Sequence, residues 1–397
     1  MKPRPIVFRL PGQKPVHRHF HRIAWLACGL ALCVIVFGAF VRLSNAGLSC
    51  PDWPTCYGQA TWPGASADVT DHAASAIRPF DDTRAWREQV HRMLAGTLGV
   101  LVLVLALLAA RRQRLGIVQV LAAAVLVAIS IPLYMRGMHV AASLLAGAGE
   151  LILLVAAVRW LRQNDGNGIA ESLPPIAALL LAVIVFQALL GMWTVTWLLK
   201  PIVVMGHLLG GLATFALLAW LAWRATDRPI RVPDANLLRK LVGVGLALLV
   251  VQVALGGWTS ANYAALACAT DFPTCVGQWW PAADFREGFV LWRGIGVDYE
   301  GGILDGESRI AIQLAHRIGA VVATVALAAF AMQLYRTPGM RGWASVLAAL
   351  LVAQLALGIA NVKLALPLWT AVLHNAGAAL LIFVLVSLLA RLRRAEA

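Results

Sequence analysis

Four histidines near the beginnings of long apolar segments have a type and spacing that suit chemistry. They are His91, His207, His316 and His374. An ionisable side chain inside a membrane segment is costly and is a functional candidate by default. Helix bundles hold haem iron between imidazoles on facing helices, whereas zinc requires a third or fourth ligand, and the sequence repeats no such ligand. The four residues therefore predict two bis-histidine haem sites, with hydrogen-bonded packing as the alternative for any one of them.

A carboxylate accompanies one of these histidines. Glu88 precedes His91 by three residues, which places both side chains on one helix face. Gln313 stands three residues before His316. An amide is nearly isosteric with a carboxylate but exchanges no proton at neutral pH. The contrast predicts a reactive first half and a second half for electron transfer or structure, with stabilisation of Glu88 by the helix dipole as the alternative.

The elements that position these residues must be membrane helices. The chain is 60% apolar and 13% charged, and its mean hydropathy is +0.76. Runs of about 20 apolar residues recur along it, and lipid forces a spanning backbone to be helical. The net charge of +14 does not indicate nucleic-acid binding, because the basic residues form no continuous stripe. The composition predicts an all-α polytopic membrane protein.

Basic residues collect in alternate loops and fix the predicted orientation. The two long loops between these basic clusters, residues 44–87 and 260–309, contain most of the acidic residues. The positive-inside rule then places both termini in the cytoplasm and the two long loops on the outer side of the membrane. We expect this membrane to be a bacterial plasma (inner) membrane, with the two loops in the periplasm. The first apolar run has no small-residue cleavage site after it, which predicts a retained helix.

The outer loops also reveal an internal repeat. Residues 54–59 read PTCYGQ and residues 273–278 read PTCVGQ, and each loop ends in a His-Arg pair. The match continues downstream, because two further triplets have identical spacing: Gln187, Gly191 and His207, and Gln354, Gly358 and His374. We interpret the chain as a tandem duplication of a four-helix unit.

One insertion breaks this symmetry. His91 and His207 are 116 residues apart, but His316 and His374 only 58. The excess contains two apolar runs, which predicts an inserted helix pair at about 115–162. The predicted division is a cytoplasmic tail (1–23), a first repeat with the insertion (24–240) and a second repeat (241–397). Ten spans follow, with eight as the alternative. They are 24–43, 91–110, 115–135, 138–161, 174–199, 203–223, 241–259, 312–335, 343–363 and 368–390.

Four of the six cysteines lie in the outer loops, on the oxidising side of the membrane. Neither loop has Cys-x-x-Cys spacing or a neighbouring histidine of the kind a zinc site requires. We predict one disulfide in each loop, Cys50–Cys56 and Cys268–Cys275, with redox-active thiols as the alternative. Cys28 and Cys33 lie inside the first span, where a thiol acts as a small apolar group.

Three further residues near the outer face are candidates for contact with haem. Arg92 and Arg317 follow two of the histidines and are candidate partners of haem propionates, with snorkelling to lipid headgroups as the alternative. His139 begins a predicted span of the insertion, but it has no repeat partner and is a poor candidate ligand.

Five segments together closely resemble the haem A synthase family. They are SNAGLSCPDWPTCYGQ at 44–59, EQVHR at 88–92, GMWTVT at 191–196, GHLLGG at 206–211 and AHRIG at 315–319. The resemblance covers both halves and excludes only the region 115–162. Members of this family have eight spans in two four-helix halves, so the inserted pair departs from the family pattern.

The resemblance implies an oxidoreductase that converts the C8 methyl of haem O into a formyl group, through a hydroxymethyl intermediate, to give haem A for terminal oxidases. His91 and His207 would hold the substrate haem, and His316 and His374 a haem b that passes electrons. Glu88 would be the essential acid, with Cys50 and Cys56 nearby. The expected partners are haem O, an unidentified electron donor, membrane lipid, haem O synthase and oxidase assembly factors, with a homo-oligomer left open.

Two other functions compete with this one. A di-haem electron carrier of cytochrome b type explains the four histidines but gives Glu88 no role. A transporter explains the duplicated bundle, but transporters usually place polar sites at the midplane through broken helices. The polar residues of this chain gather near the outer face instead.

Overall fold

A computed structural model describes residues 19–64, 79–163 and 172–395. Most of the predicted cytoplasmic tail, residues 1–18, lies outside the described residues. Within them, ten helices are long and apolar enough to cross a membrane, which confirms the prediction of ten spans rather than eight. The ten helices are α1 (Phe20–Leu43), α2 (Asp82–Ala110), α3 (Gly116–Met135), α4 (His139–Arg162), α5 (Leu173–Thr196), α6 (Pro201–Thr226), α7 (Ala235–Ala261), α9 (Gly306–Arg336), α10 (Arg341–Lys363) and α11 (Leu368–Arg391). A single turn, α8 (Phe285–Gly288), lies in the second outer loop.

Three helices begin at least six residues earlier than the hydropathy predicts: α7, at Ala235 rather than residue 241, and two helices whose first turns are polar. Helix α2 begins at Asp82 rather than residue 91, and α9 begins at Gly306 rather than residue 312. Their first turns are polar, so a search for apolar runs does not detect them. Asp81 and Asp305 cap these turns by accepting hydrogen bonds from backbone N–H groups three residues on. The third turn of α2 therefore contains His91, which the sequence placed in the first two turns.

The helices form two four-helix rings that match the two sequence repeats. In the first ring α1 contacts α2 and α6, and α5 contacts the same two helices. In the second ring α9 contacts α7 and α10, and α11 completes the ring against α10 and α7. The rings join where α1 and α6 meet α7 and α11. Helices that correspond in the repeat thus occupy corresponding positions.

The inserted pair packs on the outside of the first ring. Helices α3 and α4 contact each other extensively, and they contact the ring through α2 and α5. Gly149 of α4 lies so close to α3 that a Cβ on it would be 2.9 Å from the carbonyl oxygen of Ala123. Such close approach of small residues is typical of helix pairs in lipid, where packing rather than hydrophobicity drives association.

A feature that the sequence analysis did not predict joins the two halves on the predicted cytoplasmic side. Strands β1 (Ile230–Val232) and β2 (Leu392–Arg394) pair in parallel. Nearby, Trp25 donates a hydrogen bond to Thr226 at 2.9 Å, and Trp223 donates one to Ser387 at 2.8 Å. Strands of three residues carry no readable alternation, so only the structure reveals this pairing.

Candidate functional site

Each of the four predicted histidines lies against a glycine of the neighbouring antiparallel helix. A Cβ on Gly38 would be 2.7 Å from the His91 ring, and one on Gly191 would be 3.1 Å from His207. The second half repeats the arrangement, with corresponding distances of 3.0 Å from Gly256 to His316 and 3.1 Å from Gly358 to His374. Any side chain at these glycines would displace the imidazole. The repeated glycines therefore set the position of the rings.

The four histidines line one cavity and lie in two pairs. His91 and His207 belong to α2 and α6 of the first ring, and His316 and His374 to α9 and α11 of the second. The cavity has a volume of about 2540 Å³ and mostly apolar walls. This exceeds the roughly 300–1,000 Å³ of a pocket for one drug-sized ligand. Two large planar ligands, one at each histidine pair, fit such a space.

Glutamine side chains contact three of the histidines. The amide nitrogen of Gln187 lies 2.9 Å from Nδ1 of His207, and that of Gln252 lies 3.0 Å from Nδ1 of His316. Gln354 donates to the backbone oxygen of His374 at 3.0 Å. Among the described residues, the carbonyl oxygens of all three glutamines are buried without a hydrogen-bond partner.

These orphaned oxygens fit an iron-bound imidazole. A histidine that binds iron through Nε2 keeps a proton on Nδ1. Rotation of the neighbouring glutamine amide would present its oxygen to that proton, in exchange for the hydrogen bond that the amide nitrogen donates to the backbone oxygen of the same histidine. Partners of this kind fix the ring and raise the affinity for metal. The residues present thus fit two haems held by histidine pairs.

His91 differs from its repeat partner. The residue of α1 that corresponds to Gln252 is Val34, which has no group to hydrogen bond the imidazole. Within the part of the chain that the structure describes, Nδ1 of His91 is accordingly buried without a partner. Nδ1 of His374 is also buried without a partner among the described residues, so each half has one imidazole that is hydrogen bonded at Nδ1: His207 in the first half and His316 in the second.

Glu88 is buried and fully hydrogen bonded. Its Oε2 accepts hydrogen bonds from the backbone N–H groups of Ser49, at 2.7 Å, and Cys50, at 2.8 Å. Its Oε1 forms an ion pair of 2.6 Å with Arg92, and the residue is 4% exposed. One carboxylate thus joins the cysteine loop to the helix that carries His91, and it also lines the cavity.

Arg92 and Arg317 hold the two outer loops onto their helices. Arg92 donates to the backbone oxygens of Asp52 and Thr55, both at 2.7 Å. Arg317 donates to the oxygens of Asp271, at 2.9 Å, and Thr274, at 2.8 Å. Both arginines line the cavity, so the prediction that they bind propionates stays a prediction beside this loop-anchoring role.

Gln313 occupies the position of Glu88 in the second half. It is 4% exposed, and its amide oxygen is buried without a hydrogen-bond partner among the described residues. Among the described residues Arg317 therefore forms no ion pair like the one of 2.6 Å between Arg92 and Glu88. The carboxylate contrast read from the sequence corresponds to a real difference in hydrogen bonding.

The structure contains both predicted disulfides, Cys50–Cys56 and Cys268–Cys275. In each loop the second cysteine forms an antiparallel backbone bridge with the glutamine three residues later. All four sulfur-bearing side chains are buried. The thiol of Cys28 is buried in α1, but Cys33 is exposed there, toward the lipid side of the bundle.

An aspartate organises each loop from within. Asp52 accepts hydrogen bonds from the backbone N–H groups of Tyr57, at 2.6 Å, and Gly58, at 2.9 Å, and from the Thr55 hydroxyl. Partial burial opposes the ionisation of Asp52, but these hydrogen bonds outweigh it and lower its pKa. In the second loop, hydrogen bonds from Gly277 and Thr274 lower the pKa of Asp271.

These pKa shifts predict acid-sensitive outer loops. Because the folded pKa values lie below the ordinary value of about 3.9, the ionised aspartates stabilise the loops fully above that pH. This stabilisation is lost as the pH falls through the folded pKa values. Hydrogen exchange of the loop amides between about pH 5 and 2 should reveal the loss. Asp271→Asn should remove it in the second loop only, and equal acid sensitivity of that loop in the variant would contradict the assignment.

Several contacts in the structure were not predicted from the sequence. Gln252 corresponds to Val34 rather than to a glutamine in the first half, so the spacing comparison that found Gln187 and Gln354 did not identify it. Tyr299 of the second outer loop is 1% exposed, and its N–H donates to Leu198 at 3.1 Å, so this loop lies over the first half. His72 of the first loop lies outside the described residues. No group of three or more His, Cys, Asp or Glu side chains suited to a metal ion occurs in the described ranges.

Comparisons with known proteins cover both halves of the chain. The chain matches the COX15-CtaA family model, a cytochrome oxidase assembly protein, over residues 21–145 and 138–386. It is 37% identical to the haem A synthase of Shewanella oneidensis over 361 residues, which cover 90% of this chain and 92% of that protein. The haem A synthase of Methylorubrum extorquens is 25% identical over 408 residues, or 96% of this chain and 88% of that protein. The two family matches overlap at residues 138–145, within the inserted pair.

Proposed function

The chain belongs to the COX15-CtaA family of cytochrome oxidase assembly proteins, and on that premise we propose that it is a haem A synthase. The reaction is the oxidation of the C8 methyl group of haem O to a formyl group, which gives haem A for terminal oxidases. The observation that carries this proposal is the pair of matched histidine sites of which only one has a carboxylate, Glu88, beside it.

In this proposal His91 and His207 bind the iron of haem O, and His316 and His374 bind a resident haem b. Haem b supplies electron transfer when bound. The glycines opposite the four rings hold each imidazole at a fixed depth near the outer face. The apolar walls of the cavity exclude water from the reacting methyl group.

Glu88 is the residue of this chain that manages charge beside the substrate. Its carboxylate is fixed by Arg92 and by the N–H groups of Ser49 and Cys50, so its direction does not depend on the substrate. A fixed carboxylate accepts a proton from the oxidised carbon substituent or stabilises positive charge near it. The porphyrin performs the redox chemistry, and the protein supplies orientation and electrostatics.

The setting of this reaction is a bacterial plasma membrane, with both termini cytoplasmic and the cysteine loops outside. The basic residues in alternate loops support that orientation. A membrane enzyme that prenylates haem must supply the substrate, and oxidase assembly factors must take the product. Conversion of a methyl to a formyl group removes four electrons and adds one oxygen atom, so the reaction also requires an external oxidant and an oxygen source, and the electron donor is a separate redox partner.

The test is co-expression of the full chain with a haem O synthase in a host that makes no haem A. Haems extracted from the membranes are separated by chromatography. We expect haem A to appear only when both proteins are present. Persistence of haem O beside a folded protein loaded with haem b would contradict the enzyme and favour a di-haem electron carrier.

A further inference from the structure

The cavity extends beyond the first histidine pair to the inserted helices. Its walls there include Gly96 and Val100 of α2, Val127 of α3, and Ala146 and Gly147 of α4. Val100 remains 61% exposed although α3 packs beside α2. The part of the cavity between α2 and the inserted pair is therefore bounded by these residues; exposure alone does not distinguish it, since Val325 at the matching position of α9 is 65% exposed. We call this space the lateral arm.

The internal repeat indicates that α2 has small residues where the lateral arm passes. The spacing from Met93 corresponds to that from Ile318, so Gly96 and Gly99 of α2 match Val321 and Thr324 of α9. A Cβ on either glycine would meet nothing within 4 Å. These two glycines are not required for helix packing, and their effect is to widen the arm.

Aromatic residues lie at the outer end of the lateral arm. Trp53 of the first cysteine loop lies 6.4 Å from the Tyr134 ring, and Tyr134 lies 4.9 Å from the ring of His139. All three residues line the cavity. The sequence made His139 a poor candidate ligand. In the structure it belongs to the aromatic group that bounds the arm near the predicted outer face.

We propose that the lateral arm binds the isoprenoid tail of haem O. The inference rests on the proposed function, since haem O differs from haem b in carrying a long isoprenoid substituent. Only the half assigned to the substrate has the inserted helices and the two open glycines. The arm is continuous with the space beside His91, so a tail on a haem held there can enter it.

The chemistry of the lateral arm favours a chain over a second macrocycle. Haem iron requires axial ligands, but the arm has the single imidazole of His139, and no second histidine faces it among the described residues. A lipid acyl chain is the other apolar occupant of similar shape. Within a bilayer, transfer of hydrocarbon from lipid to protein brings little hydrophobic gain, so shape and packing must make the arm selective.

The test fills the lateral arm with larger side chains, which on α2 are those of the matching positions of α9. The variants are the double substitution Gly96→Val with Gly99→Thr on α2 and, independently, Gly147→Leu on α4. A Cβ on Gly147 would likewise meet nothing within 4 Å. The matched control is Gly29→Val on α1, an equally open helix glycine that does not line the cavity. Each full-length protein is purified from cells that make haem O, and its haems are extracted and quantified.

The measured ratio is tail-bearing haem, O and A together, to haem b. Because one methylene group in a pocket changes discrimination by about tenfold or more, we expect the ratio to fall about tenfold in both arm-filling variants and to stay unchanged in Gly29→Val. Haem b in the second half reports that each variant is folded. Wild-type ratios in both arm-filling variants would overturn the inference and leave the arm to lipid.

Conversion of haem O to haem A is scored separately from retention. A wild-type protein that retains haem O, loses it when the arm is filled and forms no haem A would support the arm while overturning the proposed activity. A protein that forms haem A equally well with a filled arm, at an unchanged ratio, would overturn the arm alone.

Discussion

Glu88→Gln is expected to reduce haem A formation by a factor of about 100 or more while haem b is retained, because acid–base groups contribute about 10²–10⁴ to rate. The substitution makes the first half imitate the second, where Gln313 stands at the same position. Extracted haems should shift from haem A to haem O, and the haem b spectrum should stay that of the parent protein. Full activity in Glu88→Gln would refute the role given to the carboxylate.

A structural cost accompanies this substitution and must be separated from the chemical one. The amide can still accept from Ser49 and Cys50, but its NH₂ group then faces the Arg92 guanidinium, donor against donor. Loss of a hydrogen bond to a charged group costs about 1.5–3 kcal/mol. Thermal unfolding of the purified protein measures this loss.

Arg92→Gln is the matched control for the loop. It removes the ion pair of 2.6 Å and the hydrogen bonds to Asp52 and Thr55 but leaves the carboxylate in place. If Glu88 acts only by holding the loop, the two variants should lose activity equally. If it acts on the substrate, Glu88→Gln should lose far more activity at a similar loss of stability. Gln313→Glu in the Glu88→Gln background should not restore the reaction, because it adds a carboxylate beside the wrong haem.

The repeat made the main elements predictable from sequence. The four histidines, the cysteine loops and the inserted pair all follow from comparing one half with the other, and membrane helices follow from apolar runs. The starts of α2 and α9 do not, because their first turns are polar and stand beyond the apolar run. Asp81 and Asp305 are ordinary helix caps that a closer reading of the turns identifies.

The hydrogen-bond partners of the histidines were harder to predict for a physical reason. A glutamine can be assigned to a histidine 64 residues away only when the faces of two helices are known, as for Gln252 and His316. The repeat comparison also finds only positions that are identical in the two halves, and this glutamine is replaced by Val34 in the first half. The same comparison therefore hides the positions at which the halves have diverged in function. Those positions become visible once the rings are aligned in space.

The divergence at Val34 and Gln252 carries the second prediction. A hydrogen bond to the free nitrogen of an iron-bound histidine typically changes metal affinity by about 10–100-fold. Gln252→Val should therefore weaken retention of haem b by about that factor. Transfer of haem b to an excess of apomyoglobin, followed by absorbance, measures the loss. Gln252→Leu should behave like Gln252→Val, because neither side chain can hydrogen bond His316.

Val34→Gln should have the opposite effect in the first half. Val34 lines the cavity, and a glutamine there can approach Nδ1 of His91 as Gln252 approaches His316 at 3.0 Å. We expect tighter retention of haem O and haem A and a slower turnover, while haem b transfer is unchanged. Val34→Leu fills similar space without an amide and should turn over like the parent protein.

The two reciprocal substitutions test whether the difference between Val34 and Gln252 affects haem retention or only helix packing. Under the proposed function a substrate haem must enter and leave the first half, where His91 lacks a hydrogen bond at Nδ1, and a resident haem must stay in the second half, where His316 has one although His374 does not. Equal transfer rates in Gln252→Val and the parent protein would show that the glutamine does not support the ligand. Unchanged retention in Val34→Gln with a hydrogen bond to His91 visible in its structure would show that release is not governed at this ring. Release would then be governed elsewhere in the cavity, with the lateral arm as the next candidate.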